Sequence, residues 1–420
     1  MIQKKTYSVL LLSITSFALS GCGASTSTST STVNVHLQNF KLNTGTAVSA
    51  NQNRKPLTER AALKGGTSRA SGYNLASQLV SLKYLFTSIA LCQSTDATSA
   101  FGFTTESGCT SLYSNSKSVT EGATVSQILS VFNASTDAFD LMSSTDITRL
   151  NANAGAATTG TYNYVLVNWA PAIGVSGTVT VPSSPSTTLT TQAYTSIASG
   201  TNGGYPTTTQ PSMTASPTPS LTYVQSANGG SVFKFQKALT VAAGSSYYLD
   251  IIFNPTGVLD GCSAGTTGNI TDGVHGMYMP MLPVTAVLRA TTDTLVRESY
   301  PLTINSTYSM EVDLYYLQSD TTKSIVAAQI VGLPANTDSQ TCYTPDIRVF
   351  TATTATDGSI TLASGTTTAS NILTGLVRGS SSSGTTVTFN TSNGDGGVTT
   401  ALPSGVSTAT EGAMTETTYQ

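Results

Sequence analysis

The sequence predicts an all-β protein, folded as an antiparallel β-sandwich of one large or two small units with few short helices. Apolar and polar residues alternate over short segments such as 247–253 and 310–316, and this two-residue period is typical of half-buried strands. Long connections rich in Ser, Thr, Gly and Pro separate the segments, which favours a sandwich over alternating strands and helices. Charged residues make up only 9% of the 420 residues, where about 25% is usual, so hydroxyls and amides must solvate the surface.

The individual elements follow from local composition. Strand signals occur, in chain order, at 82–92, 161–169, 177–181, 233–236, 247–253, 277–288, 310–316, 325–333 and 347–350, with weaker ones at 360–362 and 387–389. Apolar residues at helical intervals predict one short helix over 125–132. The segment 139–150 fits either a strand end or a helical turn, and both alternatives stay open.

The N-terminus has the pattern of a secretory signal. Lys4 and Lys5 precede an apolar run from Val9 to Leu19, and small residues lead to Cys22. The apolar run is shorter than the roughly 20 residues that a membrane-spanning helix needs. An exported protein is therefore expected, with residues 1–21 removed.

The last four residues of this run, Leu19-Ser20-Gly21-Cys22, resemble the lipobox of bacterial lipoproteins. The resemblance implies cleavage before Cys22, diacylglycerol on its sulfur and acylation of the new amine, so that the lipid holds the protein on a membrane. Gly23 replaces the aspartate that signals inner-membrane retention in many Gram-negative lipoproteins, which favours the outer membrane of the cell envelope. The alternative is an ordinary signal with a chance cysteine.

Composition then divides the mature chain into three parts. Residues 22–72 are predicted to be the lipidated cysteine and a flexible tether, Ser/Thr-rich and then basic, although 33–37 alternates like a short strand. Residues 73–350 are the predicted sandwich core, with a proline-rich insertion at 182–219, where proline cannot donate to a sheet. Residues 351–420 are a Ser/Thr/Gly-rich segment, predicted to be partly disordered and frayed beyond 401.

Net charge excludes one class of partner. The formal charge of the chain is −3, and loss of Lys4 and Lys5 with the signal makes the mature protein more acidic. Nucleic-acid binding needs a basic excess that displaces counterions from phosphate. The sequence has none, so nucleic acid is not an expected partner.

Four cysteines remain after Cys22, an even number for an oxidising compartment. We favour the pairs Cys92–Cys109 and Cys262–Cys342, because the members of each pair lie within one apparent unit. A zinc site is the alternative, but the spacings match no zinc module.

One loop offers oxygen ligands beside glycines: Asp260, Asn269 and Asp272. Such ligands can hold Ca²⁺, which makes this the candidate metal site and calcium the only candidate cofactor. The alternative is that these residues simply form turns.

Tyrosines provide the candidate binding surface. Of the 18 in the chain, Tyr248 and Tyr315 fall on the polar face of predicted strands. Exposed tyrosines among hydroxyl residues suit a glycan, peptidoglycan or protein partner. The alternative is that one sheet packs on another through them.

No catalytic residue is assigned. His36 falls in the predicted tether and His275 in a loop, and no nucleophile-elbow motif is present. Asp140 and Asp146 form a possible acid pair, but the sequence gives no distance between them. We expect a non-catalytic binding, adhesion or structural role, with an exported polysaccharide hydrolase as the alternative.

Short motifs over residues 84–288 resemble an uncharacterised domain family of bacterial lipoproteins with a transthyretin-like or prealbumin-like β-sandwich. The segments that carry the resemblance are 84–92, 139–142, 160–166, 239–244, 248–253 and 279–284. The resemblance implies fold and location only, since the family brings no established activity.

Overall fold

A computed structural model describes residues 30–39, 46–47, 77–94, 108–115, 125–134, 136–181, 187–191, 213–214, 219–225, 229–253, 260–263, 275–278, 284–303, 309–331, 350–364, 370–378, 385–389 and 407–419. Strands dominate these residues, and the two helices among them are short. The prediction of an all-β fold is therefore confirmed, and the described strand pairs are antiparallel apart from one parallel pair.

The strands run, in chain order, over Thr30–Asn39 (β1), Thr46–Ala47 (β2), Ser77–Cys92 (β3), Cys109–Ser114 (β4), Ala138–Asp140 (β5), Ala154–Thr158 (β6), Gly160–Val181 (β7), Thr187–Thr191 (β8), Met213–Thr214 (β9), Thr222–Gln225 (β10), Gly229–Val241 (β11), Ser246–Phe253 (β12), Asp260–Ser263 (β13), His275–Tyr278 (β14), Val284–Ala290 (β15), Leu295–Thr303 (β16), Ser309–Leu317 (β17), Ile325–Val331 (β18), Phe350–Thr354 (β19), Ser359–Ser364 (β20), Ser370–Val377 (β21), Thr386–Phe389 (β22), Thr408–Glu411 (β23) and Thr415–Tyr419 (β24). The helices are Val125–Ala134 (α1), which confirms the predicted helix, and Ser144–Asn151 (α2).

The first sheet has the strand order β15-β12-β1-β6 and places β1 in its interior. β1 runs parallel to β12 and antiparallel to β6, and its side chains Val33, Val35 and Leu37 are buried. The prediction of a tether over 22–72 is therefore wrong for Thr30–Asn39. Burial of these alternating apolar side chains removes apolar surface from water, which stabilises the strand relative to a solvated linker.

The second sheet has the order β4-β3-β7-β8-β9, and the long strand β7 also pairs with β10 and β11. β8 lies inside the predicted proline-rich insertion, yet it pairs with the end of β7 and buries Thr190 and Thr191. The prediction that the prolines of the insertion 182–219 keep it out of a regular sheet is thus wrong at β8. The five residues of β8 contain no proline, and their β-branched threonines suit a sheet.

The first core fills the space between these two sheets. Apolar side chains of β1 and β12, such as Val35 and Leu249, pack with those of β3 and β7, such as Leu82 and Val175. Helix α2 closes one side of this core through the buried Leu150. The two sheets with this shared core form a β-sandwich.

The third sheet has the order β18-β17-β16-β23-β22-β21-β20-β19 and carries the second core, in which Leu302 and Leu314 pack with Leu362 and Leu373. Its strand β24 pairs with β16 and buries Tyr419. The predictions that the core ends at 350 and that the chain frays beyond 401 are therefore wrong for the described C-terminal strands. Sparse apolar residues suffice there because the neighbouring strands supply most of the core.

A small apolar cluster joins the first sheet to the third. Ile252 and Val287, on the outer face of the first sheet, pack with Leu295, Tyr315 and Tyr419. Both faces of β12 are consequently covered along most of its length. Polar residues on that outer face must therefore find partners inside the protein.

Candidate functional site

The two tyrosines of the predicted binding surface have different environments. Tyr248 is partly exposed, and its ring lies 4.9 Å from the His36 ring and 4.8 Å from the Arg289 guanidinium carbon. Tyr315 has 0% exposure and packs in the cluster that joins the first and third sheets. The prediction of Tyr315 as a surface residue is wrong, because the polar face of its strand is covered by another sheet. Tyr248 stays a candidate.

The predicted disulfide Cys92–Cys109 is confirmed. The two residues lie opposite each other on β3 and β4 and are joined by a disulfide bond. Cys342 lies outside the described residues, so the pair Cys262–Cys342 stays a prediction.

The predicted calcium ligands fall largely outside the described residues. Asp260 begins β13, which pairs with β14, whereas Asn269 and Asp272 are not among the described residues. Within the described residues no group of three or more potential metal ligands converges. The calcium site stays a prediction.

The strongest polar constellation centres on Asp250, in the middle of β12. Its carboxylate accepts hydrogen bonds from His36 Nδ1 at 2.7 Å, from Gln38 Nε2 at 2.7 Å and from Arg289 Nε at 2.6 Å. Asp250 and Arg289 both have 0% side-chain exposure. The three donors come from β1 and β15, the two neighbours of β12, so one carboxylate ties three strands together. We call these four residues the Asp250 cluster.

Electrostatics keep Asp250 ionised. Burial alone would raise the pKa of this carboxyl, but the hydrogen bond from His36 and the positive charge of Arg289 outweigh burial and lower the pKa. A buried carboxylate with a matched guanidinium and two further donors is well solvated by the protein itself. The side chain of His36 is the member that reaches the surface, with 19% exposure.

A second polar row crosses the third sheet on the face that also carries Tyr315. Asp313 has 0% exposure and receives Gln329 Nε2 at 3.2 Å, while Arg297 Nη1 lies 3.8 Å from it. Glu311, two residues earlier on the same face of β17, forms a side-chain hydrogen bond with Asp313. Two carboxyls in contact can share this bond only if one of them carries the proton.

The proton belongs to Glu311. Burial and the negative charge of Asp313 raise the pKa of Glu311 from its ordinary value of 4.5 to about 8. Glu311 is the more accessible of the two, because its side chain is only partly buried.

We predict that Glu311→Gln flattens the dependence of stability on pH. A raised carboxyl pKa means that the folded state binds more protons than the unfolded state between about pH 4.5 and 8, so wild-type stability falls as pH rises through that range. The slope from one such group is at most about 1.4 kcal/mol per pH unit. Urea unfolding at several pH values should show this decline in wild type and a smaller decline in the variant.

Glu416→Gln is the matched control, because it makes the same substitution on the same sheet. Glu416 lies 3.8 Å from the exposed ammonium of Lys323, away from Asp313. The control should keep the wild-type decline. A decline that persists unchanged in Glu311→Gln would assign the titration to another group.

The predicted acid pair Asp140 and Asp146 serves the local fold. Asp140 accepts hydrogen bonds from the backbone N–H groups of Leu82 and Met142, at 3.0 and 2.9 Å. Asp146 accepts from the backbone N–H of Asp140 at 2.8 Å and stands in the first turn of α2. Both carboxylates accept from backbone N–H groups around the turn between β5 and α2, while the helix itself is capped by Ser143 Oγ, which accepts from the Asp146 N–H.

Sequence reasoning missed both polar clusters. Composition places His36 in the tether, and alternation places Asp250, Asp313 and Glu311 on the solvent face of their strands. One signal was available: charged residues are scarce in this chain, yet several stand inside strong strand patterns. A charge retained inside a strand, in a chain that otherwise avoids charges, indicates a specific partner.

The lipobox and Cys22 lie outside the described residues. Among the helices that the structure describes, none is both long enough and apolar enough to cross a membrane. The chain matches no protein-family model, and no curated protein or solved structure matches it either. The resemblance to a lipoprotein domain family stays a prediction.

Proposed function

We propose that this protein is a lipid-anchored envelope lipoprotein, on the outer membrane rather than the inner, with a non-catalytic binding, adhesion or structural role. The observation that carries the proposal is the motif Leu19-Ser20-Gly21-Cys22 directly after a short apolar signal. Gly23 supports the choice of membrane. The oxidised pair Cys92–Cys109 supports export to a disulfide-permissive compartment.

The pairing of buried acids with arginines inside the protein supports a non-catalytic role. Three acids on strands pair with arginines: Asp250 with Arg289 at 2.6 Å, Glu298 with Arg378 at 2.8 Å, and Asp313 with Arg297 at 3.8 Å. Each of these acids is almost fully buried. Groups committed to such internal pairs stabilise the arrangement of strands and are poorly placed to meet a substrate.

The anchor is tested by expressing the full chain with its own signal in a bacterial host. We expect the N-terminal peptide to begin at Cys22 with acyl mass added, and the protein to need detergent for release. Cys22→Ala should abolish the added mass and release the protein, whereas the nearby Ser25→Ala should behave as wild type. Acylation or membrane retention of Cys22→Ala would refute the anchor.

A polysaccharide hydrolase is the second candidate, and one observation favours it. Glu311 is a carboxyl with a pKa raised to about 8 beside the second carboxyl of Asp313, and hydrolases use pairs of carboxyls as general acid and base. Asp313 has 0% exposure and lies 3.8 Å from Arg297, so it is poorly placed to meet a sugar, which favours the structural role.

Purified peptidoglycan separates the two candidates. A binding protein should co-sediment with the intact polymer, and the partly exposed Tyr248 should contribute, so that Tyr248→Ala co-sediments less. A hydrolase should release soluble fragments, and Glu311→Gln should stop the release. Fragment release that requires Glu311 would overturn the non-catalytic proposal.

A further inference from the structure

The start of β1 limits how far the folded protein can lie from its anchor. Cys22 and Thr30 are eight residues apart, so even a fully extended chain places Thr30 within about 29 Å of the acylated cysteine. β1 itself extends roughly 30 Å from Thr30 to Asn39. The end of the sandwich that carries Thr30 is therefore held near the bilayer on a short connection.

Strand directions show which turns share that end. β12 is parallel to β1 and starts beside it, with Thr32 opposite Ser246. The turn before β12, Ala242–Ser245, is bonded to β1, since Gly244 N–H donates to the Thr30 carbonyl at 3.3 Å and Ser31 Oγ donates to the Ala242 carbonyl. β15 runs antiparallel to β12 and ends there, so the turn Thr291–Thr294 lies at the same end.

The third sheet presents its own turn beside these two. β16 starts from the turn Thr291–Thr294, and β17 returns to end at Leu317 opposite Leu295. The following turn, Gln318–Ser324, contacts the other: Ser319 N–H donates to Asp293 Oδ1 at 3.2 Å. The three turns 242–245, 291–294 and 318–324 thus form one surface, which we call the anchor rim.

The chemistry of the anchor rim suits polar lipid head groups. Exposed residues with hydroxyl groups or small side chains dominate it, among them Ala243, Thr292, Thr321 and Thr322. Its two acids are engaged internally, because Asp293 accepts from Ser319 and Asp320 accepts from Thr322 N–H at 2.9 Å. The rim therefore offers small, wettable groups, and the negative charge of its acids is offset by Lys237, 3.0 Å from Asp320, and by the exposed Lys323, so that phosphate is not repelled.

We propose that the anchor rim faces the bilayer and contacts lipid head groups in the acylated protein. The inference rests on the proposed anchor at Cys22 and adds an orientation to it. The opposite end, near Asn39 and the start of α2, points away from the membrane, since Asn39 Nδ2 donates to the Leu141 carbonyl at 2.6 Å just before α2. Contacts with envelope polymer are then made by that distal end and by the sides.

Two exposed positions at opposite ends test the orientation. Ala243→Cys lies on the anchor rim and Thr145→Cys lies at the start of α2. Each acylated full-length variant is labelled with a thiol fluorophore and added to phosphatidylethanolamine–phosphatidylglycerol vesicles that carry a quencher on the lipid head group. The unsubstituted protein sets the background labelling, and urea unfolding of each variant checks that it is folded.

We expect the label at position 243 to be quenched about twofold or more relative to the label at position 145. The reason is that position 145 lies about one length of β1 farther from the anchor, and β1 is as long as the extended connection from Cys22 to Thr30. Equal quenching, or stronger quenching at position 145, would overturn the orientation while the protein still floats with the vesicles, leaving the anchor intact. An unmodified Cys22 thiol, with no flotation, would overturn the anchor and the orientation together.

Discussion

Asp250→Asn is expected to lower the free energy of unfolding by about 3–5 kcal/mol, the range for removal of one partner from a buried ion pair. Arg289 would keep its charge with 0% side-chain exposure and lose the carboxylate that its Nε contacts at 2.6 Å. No solvent can replace that partner. Urea unfolding at neutral pH measures the change.

Loss of hydrogen bonds between β1 and β12 should lower the free energy of unfolding further. Asp250 also accepts hydrogen bonds from His36 and Gln38, which lie on β1. An asparagine can accept at one oxygen only, so its NH2 group would face either Arg289 Nε, which contacts Oδ2, or the two donors that share Oδ1, in a buried setting. The destabilisation should therefore be large even if the backbone of β12 does not move.

The same substitution has a signature at acid pH. The pKa of Asp250 is lowered, because its partners outweigh the effect of burial, so its ionisation stabilises the fold above the ordinary pKa of 3.8. That contribution is lost as pH falls through the lower, folded-state pKa. Wild type should accordingly lose stability on acidification more steeply than Asp250→Asn does.

Lys237→Gln is the control, since it breaks an ion pair that is exposed. Lys237 Nζ lies 3.0 Å from Asp320, and its side chain is 52% exposed. Water replaces the lost partner there, so the unfolding midpoint should stay near that of wild type. Equal midpoints for Asp250→Asn and Lys237→Gln would show that the buried pair contributes little.

The alternation of residues identified strands well and the environment of their polar faces poorly. Tyr247, Leu249 and Ile251 were expected on the core side of β12, and all three are buried. The opposite face was expected to meet solvent, yet Asp250 and Ile252 on that face are buried as well. A two-residue period reports that the faces differ in polarity, and it carries no information about a second sheet packed on the polar one.

The Asp250 cluster could not be read from the sequence for a different reason. His36, Asp250 and Arg289 come from three distant strands, and only the parallel pairing of β1 with β12 brings the first two together. The register of that pairing is set by burial of Val33, Val35 and Leu37 against the first core. The site is thus a consequence of the packing of a segment whose composition suggested a linker.

Removal of the Cys92–Cys109 disulfide, as Cys92→Ala/Cys109→Ala, is expected to lower the free energy of unfolding by about 3 kcal/mol, because the bond closes a loop of 17 residues in the unfolded chain. The bond also ties β4, a short strand at the edge of the second sheet, to its neighbour β3. Urea unfolding without reductant measures the loss.

The double variant also isolates the other predicted disulfide. In the Cys92→Ala/Cys109→Ala protein, Cys262 and Cys342 are the only cysteines besides Cys22, whose thiol the proposed acylation would block. If they are bonded, the denatured variant has no free thiol, and reductant lowers its stability further, because 80 residues separate the two cysteines. Two free thiols in the denatured variant would refute the pair Cys262–Cys342. An unchanged unfolding midpoint in the double variant would refute the stabilising role of Cys92–Cys109.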